Sequence, residues 1–256
     1  MRSSLALSAL LFLVACAGEV SPGGPPERPG AEWSWDEATV YVPGRFFATT
    51  PDKVESDRRL PVVLYLHGCS GITWGNDIAW GRFVKNLGFV AILPDSMARP
   101  GRKANCDPRL KTTGSFPPAG QMRQEEIAYA LERLNAASWA DTRNIFLMGH
   151  SEGGAAAARA TADAFRGIII SGWTCTNARY PAYDGIFAPL EIPILAIAWD
   201  RDEWYAGRPA EGVCANKFGV RTNARQVLLK GSDHATYGAR EARDAVERFL
   251  RENLVH

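Results

Sequence analysis

The chain has 256 residues, 46% hydrophobic and 22% charged, and its 29 basic and 28 acidic side chains leave a formal net charge of +1. That composition reads as a soluble globular protein, and the length fits one α/β domain as well as two smaller ones. The near-neutral charge gives no sign of a nucleic-acid partner, whose backbone demands a strongly basic surface.

At the N-terminus Arg2 precedes an apolar run over 5–14. The run is too short to span a bilayer as a stable helix and has the form of an export signal. It ends in Leu13-Val14-Ala15-Cys16, which resembles the bacterial lipobox, in which the cysteine becomes the first mature residue and carries lipid. Ala15-Cys16-Ala17 also has the A-x-A form of a plain secretory signal cut after Ala17. The favoured division is a lipoprotein signal peptide over 1–15, a Pro/Gly-rich linker over 16–32 containing SPGGPPERPG, and a domain over 33–256. Either processing route exports the protein, lipid-anchored in the bacterial envelope through Cys16 or secreted. In that oxidising setting Cys69, Cys106, Cys175 and Cys214 are expected to form disulfides. Their spacings fit no zinc pattern, so no metal is expected.

Residues 40–42 and 46–48 read as early strands at one edge of a sheet. From Pro61 onward apolar runs alternate with amphipathic stretches, the pattern of a mostly parallel sheet with crossover helices on both faces. The strand runs are 62–66, 89–93, 145–148, 167–170, 194–198 and 226–229, nearly continuous in apolar residues as strands buried on both faces should be. The helical stretches are 76–87, 121–137, 152–164 and 239–254. In 121–137, Ile127, Ala130, Leu131 and Leu134 recur at helical spacing. Three long connections, 96–120, 173–192 and 203–212, all follow strands and so gather at the C-terminal sheet edge, where ligands bind in α/β folds.

Gly149-His150-Ser151-Glu152-Gly153 follows one of these strands and opens a small-residue helix, the setting of a nucleophile elbow. Glycines two residues either side of the serine are needed because the turn is too tight for side chains there. A serine hydroxyl needs a base. Of the four histidines, His67 precedes the serine, His150 is expected to point away from the site, and His256 is the last residue. His234, beyond the last strand, is the expected general base. The carboxylate that orients it should follow the strand over 194–198, where Asp202 is favoured over Asp200. One oxyanion donor is the backbone N–H of Glu152. The second comes from the His67-Gly68-Cys69 loop, with the Cys69 amide as the donor.

Together His67-Gly68, the Gly149–Gly153 elbow, Asp202 and His234 resemble the α/β-hydrolase superfamily. The compact size and the His-Gly-Cys loop resemble, within it, the dienelactone hydrolase family, and more loosely secreted polyester depolymerases. The resemblance implies the α/β-hydrolase fold and a Ser-His-Asp carboxylic ester hydrolase with no cofactor, acting on a small-molecule ester. Dienelactone hydrolases use a cysteine nucleophile where this chain has Ser151, so an esterase on some other carboxylic ester is the better expectation. A serine peptidase of the same fold and a non-catalytic envelope lipoprotein are the rival readings.

Pairing the cysteines of neighbouring strand-end loops gives Cys69–Cys106 and Cys175–Cys214, against a free Cys69 thiol as the alternative. Trp173 and Trp204 are candidates to wall a substrate pocket, with Trp74, Trp199, Tyr180, Tyr183 and Tyr205 in the same loops. Arg99, Arg102, Lys103, Arg109 and Lys111 in the 96–120 loop read more simply as a solvated loop than as an anion site.

Overall fold

The computed structural model describes residues 30–114, 116–177, 181–205 and 213–256. The signal segment, Cys16, Tyr180 and residues 206–212 of the third long connection lie outside the described residues. The sequence elements emerge as α1 (Gly30–Asp36), β1 (Thr39–Tyr41), β2 (Leu60–Leu66), α2 (Ala79–Asn86) and β3 (Val90–Leu93). They continue with β4 (Cys106–Asp107), β5 (Thr112–Thr113), α3 (Ala119–Ala136), β6 (Ala140–His150) and α4 (Glu152–Ala158). The chain finishes with β7 (Gly167–Ser171), β8 (Ile194–Trp199), β9 (Ala224–Leu229) and α5 (Arg240–Asn253).

Seven strands form one sheet in the order β1-β3-β2-β6-β7-β8-β9, and β4 pairs with β5 in a separate hairpin. Every pairing in the large sheet is parallel except that of β1 with β3. Alternate residues feed two cores, as the period of two in a strand requires. Val62, Leu64, Leu66, Ile168, Ile170 and Ala196 join Ile127 and Leu134 of α3 on one face. Val63, Tyr65, Ile169, Leu195 and Ile197 join Trp80 and Val84 of α2 and Val246, Phe249 and Leu250 of α5 on the other. Burial on both faces is why these strands carry unbroken apolar runs. The strand order reverses at β2, whose neighbours are β3 on one side and β6 on the other, so the crevice above β2 and β6 is the switch point where this fold class binds ligands.

Several expected boundaries move. Residues 46–48 form no strand: Thr49 alone makes a bridge to Val40, and Phe46 and Phe47 stand 87% and 78% exposed, packed edge-to-face on each other. β6 begins at Ala140, through a stretch of polar residues that periodicity could not mark as strand. The helix over 152–164 stops at Ala158, where the Ala158 carbonyl accepts the N–H of Phe187 and the Arg159 and Ala160 N–H groups turn back to Ala156 and Ala157. A π-helical turn at Trp74–Ile78 leads into α2. Gly30 to Glu32, placed in the linker by composition, belong to α1, where Ala31 is buried. Among the described residues no helix is long and apolar enough to cross a membrane.

Candidate active site

Ser151 sits between β6 and α4 with φ +58° and ψ −115°, a conformation that strains a residue with a Cβ and persists only where the surroundings enforce it. Its N–H is held by the Ser171 carbonyl at 2.9 Å. The flanking glycines are required by contact. A Cβ on Gly149 would lie 2.0 Å from the Gly153 carbonyl oxygen, and one on Gly153 would lie 2.0 Å from that of Leu66. The small helix α4 therefore presses directly onto β2 and β6, and its run of alanines is buried. The loop after β2 meets the serine here, because a Cβ on Gly68 would be 3.5 Å from Ser151 Cβ.

His234 Nδ1 and Asp202 Oδ2 are 2.7 Å apart, with Asp202 fully buried. The other Asp202 oxygen accepts the Trp204 N–H at 3.0 Å, so the carboxylate is fixed at both ends. This bond places the His234 proton on Nδ1 and leaves Nε2 as the basic nitrogen. Nε2 is buried and has no hydrogen-bond partner among the described residues. Asp200 does a different job, binding Lys230 Nζ and the Gly231 N–H, each at 3.0 Å, at the exposed turn after β9. Of the two carboxylates, Asp202 alone is bonded to His234.

The His234 loop is anchored from the far side of the sheet edge. Asn76 Oδ1 accepts the N–H groups of Thr236 and Tyr237 at 3.1 and 3.2 Å, and Trp199 Nε1 donates to the Ala235 carbonyl at 3.0 Å. His150, expected to point away, does the opposite: its ring packs on that of His234 with centroids 4.8 Å apart. Burial, and then the charge that His234 can carry, hold the His150 imidazole well below its usual basicity. The position before Ser151 is therefore not a free one. In this chain β7 ends at Ser171, and the glycine that follows it leaves room for a ring.

Beneath the Gly68 loop lies a buried charge cluster that the sequence did not announce. Arg123 Nε donates to Glu152 Oε1 at 3.0 Å, Nη1 to Glu126 Oε2 at 3.3 Å, and Nη2 to the His67 and Gly68 carbonyls at 2.8 and 3.2 Å. Arg102 Nη2 reaches the same Glu152 oxygen at 2.5 Å. Burial raises the Glu152 pKa, but Arg123 and Arg102 outweigh it and hold the carboxyl below its ordinary value. The basic 96–120 loop is therefore only in part the expected solvated loop: Lys103 and Arg109 are exposed, but two of its arginines are not. Arg99 and Arg102 are buried against Glu125, Glu126 and Glu152, Arg109 pairs with Asp107, and Lys111 pairs with Glu203. Lys103 is exposed, and among the described residues it makes no ion pair.

Both disulfides form in the expected pairing. Cys69–Cys106 ties the Gly68 loop to the β4–β5 hairpin, and Cys175–Cys214 ties the loop after β7 to the segment that follows the acid loop. Structural disulfides of this kind belong to an oxidising, exported compartment. Of the tryptophans proposed for the pocket, Trp204 lies against His234 at 5.2 Å with planes inclined by 33°. Trp173 reaches the site through Tyr205, 5.9 Å away, whose own ring is 6.1 Å from His234 and whose hydroxyl donates to the Gly172 carbonyl. Trp199 packs on the core and Trp74 is exposed.

Three solved structures share this architecture at low identity. Est1E from Butyrivibrio proteoclasticus, solved with ferulic acid bound, superposes with a TM-score of 0.58 at 15% identity, over 84% of this chain and 94% of its own. Esterase PE8 gives 0.55 at 19% identity, over 77% and 94%. A dienelactone hydrolase candidate from Klebsiella pneumoniae gives 0.55 at 15%, over 84% and 96%. No curated protein matches the chain in sequence. Residues 63–252 match the family described as "Alpha/beta hydrolase family", a span running from β2 through α5 that takes in the elbow, Asp202 and His234. The chain belongs to the alpha/beta hydrolase family.

Proposed function

We propose that this protein is a carboxylic ester hydrolase in which Ser151 is the nucleophile, His234 the general base and Asp202 the orienting acid. The 2.7 Å bond between Asp202 and His234, beside a serine on a strained elbow, is the observation that carries the reading. When an ester seats, His234 Nε2 takes the Ser151 proton as Oγ adds to the carbonyl carbon. The backbone N–H groups of Cys69 and Glu152 receive the developing oxyanion. The imidazolium, stabilised by Asp202, returns its proton to the departing alcohol, leaving an acyl group on Ser151. A water then enters by the same proton route, the acyl–oxygen bond breaks, and the free acid leaves. The Ser151–His234 hydrogen bond forms in the substrate complex, since such bonds tighten only once the site is filled.

Trp204, Tyr205 and Trp173 offer an aromatic wall beside His234, which favours an ester with a flat apolar group in its acyl or alcohol part. The ferulic acid bound to Est1E is a molecule of that shape. The protein works outside the cytoplasm, held to the envelope by a lipid on Cys16. A fluorophosphonate probe, which reacts only with an activated serine, tests the reading together with a panel of aryl and alkyl esters, lactones and peptides. Labelling of Ser151 with turnover of aryl esters is the expected result. Turnover confined to peptides makes the protein a peptidase of the same fold, and absence of labelling rejects the mechanism.

A further inference from the structure

Acyl transfer as proposed uses Ser151, His234 and Asp202 and leaves the buried His150 without a role. His150 is the last residue of β6, and two paths run from it to the loop bearing His234. One is the ring contact, with centroids 4.8 Å apart and planes inclined by 54°. The other is a hydrogen-bond chain. His150 Nδ1 is 3.2 Å from Ser171 Oγ, which is 2.7 Å from Thr236 Oγ1, two residues beyond His234. Thr236 is held in turn by Trp80 Nε1, which donates to its hydroxyl at 3.3 Å, and by Asn76 Oδ1, which accepts its N–H. His150, Ser171 and Thr236 are all buried, so no solvent competes for these bonds.

Gly172 shows that the paired rings are accommodated by the backbone. With φ +59°, a Cβ there would lie 2.7 Å from His150 Cε1 and 3.4 Å from His234 Cε1. Any side chain at that position would clash with the His150 ring and touch that of His234. Asp202 grips His234 at one atom only, so the plane of the ring is left to its ring contacts. Of these His150, at 4.8 Å between centroids, is nearer than Trp204 at 5.2 Å and Tyr205 at 6.1 Å.

We infer that His150 is a positioning residue for the reaction: gripped by Ser171, which Thr236 holds in turn, it sets the plane of the His234 ring so that Nε2 faces Ser151. The inference rests on the reading of Ser151, His234 and Asp202 given above. His150 is a poor competitor for the serine proton, because burial, and then His234, disfavour its protonated form. An angular error in a base affects the chemical step far more than substrate binding, and small misplacements cost on the order of 10²-fold in rate.

The test is a set of single and double variants with kcat and KM measured separately, after fluorophosphonate labelling of the unmodified protein. His150→Phe keeps the ring bulk and removes the hydrogen bond, whereas Thr236→Val leaves both imidazoles in place and cuts the chain. His150→Phe is expected to lower kcat on the order of 10²-fold and Thr236→Val roughly tenfold, with KM moving less than about threefold. The double variant should be no worse than His150→Phe alone, since both act through one chain. The downfield proton resonance of the His234 Nδ1–H should broaden or shift in each single variant. Unchanged kcat, a loss that appears in KM alone, or losses that multiply in the double variant would overturn the inference. If His150→Phe fails to fold, Thr236→Val and Ser171→Ala carry the same test. An unlabelled Ser151 in the unmodified protein would instead reject the acyl-transfer reading.

Discussion

Arg123 and Glu152 are joined by a 3.0 Å bond from Nε to Oε1, with the arginine side chain fully buried and the glutamate 11% exposed. Arg123 lies on α3 and Glu152 directly follows the nucleophile. Because the same guanidinium also binds the His67 and Gly68 carbonyls, one side chain locks the Gly68 loop to the elbow. Removing one partner leaves an uncompensated buried charge, which costs about 3–5 kcal/mol. Arg123→Met and Glu152→Gln should each lower stability by that order in urea unfolding, with Arg123→Met the worse because Glu152 keeps only Arg102. A loss under about 1 kcal/mol for Arg123→Met would show that the cluster is not structural.

The catalytic assignment predicts a steep hierarchy. Ser151→Ala and His234→Ala should each lower kcat on the order of 10⁶-fold, because the members act as a unit. Asp202→Asn should cost about 10⁴-fold by favouring the wrong tautomer. Asp200→Asn should leave kcat within about threefold, since Asp200 only braces an exposed turn. Ester hydrolysis on initial-rate assay that survives Ser151→Ala would end the reading.

Cys69 is both half of a disulfide and the proposed source of an oxyanion N–H. Cys106→Ser should lower stability by about 2–4 kcal/mol, the usual worth of such a bridge. It should lower kcat more than that stability loss would suggest, because the Cys69 amide is no longer pinned and one oxyanion donor is worth about 2.7–4 kcal/mol in the transition state. Cys214→Ser, cutting the bridge away from that loop, should affect stability alone. Thermal unfolding and kcat measured on both variants separate the two effects; equal kcat losses would contradict it.

Stability should fall on mild acidification. His67 and His150 are both held well below the ordinary value of 6.5, first by burial and then by Arg123 and His234 respectively. The folded state thus binds fewer protons than the unfolded chain below pH 6.5. The stabilisation is complete above that value and is lost as pH falls toward the folded values. Each histidine contributes a slope of about 1.4 kcal/mol per pH unit within this window. Glu152, also depressed, adds a loss in the same direction below its ordinary value of 4.5. Melting temperature followed from pH 8 to 5 should drop below about 6.5, and a flat profile there would count against both buried histidines being neutral.

If Cys16 carries lipid, mass spectrometry of the mature protein should find a diacylglyceryl-modified Cys16 at its N-terminus. Cys16→Ser should then release the domain in soluble form, because stable anchoring needs at least two acyl chains. A mature chain beginning at Gly18 would mean plain secretion.

The local rules of the chain were enough to place most of the sheet and the tight turn at Ser151. Apolar runs such as 167–170 mark strands buried on both faces, and Gly149 and Gly153 mark a turn where backbone meets backbone. Both are properties of a few adjacent residues, and so they are legible in order along the chain. The cysteine pairing was legible for a related reason: strand order alone brings Cys69 near Cys106 and Cys175 near Cys214. Asp202 and Asp200 could not be separated so firmly, because two residues in one loop differ only in which way the loop turns. Residues 46–48 looked like a strand because periodicity records apolar character and not whether a partner lies alongside. Tertiary structure alone decided that Arg123 would bury itself against Glu152, and that His150 would lie against His234. Those contacts join residues 29 and 84 positions apart, across strands and helices whose packing distance no local pattern encodes. Whether a charge or an imidazole is buried depends on what the rest of the chain brings to meet it.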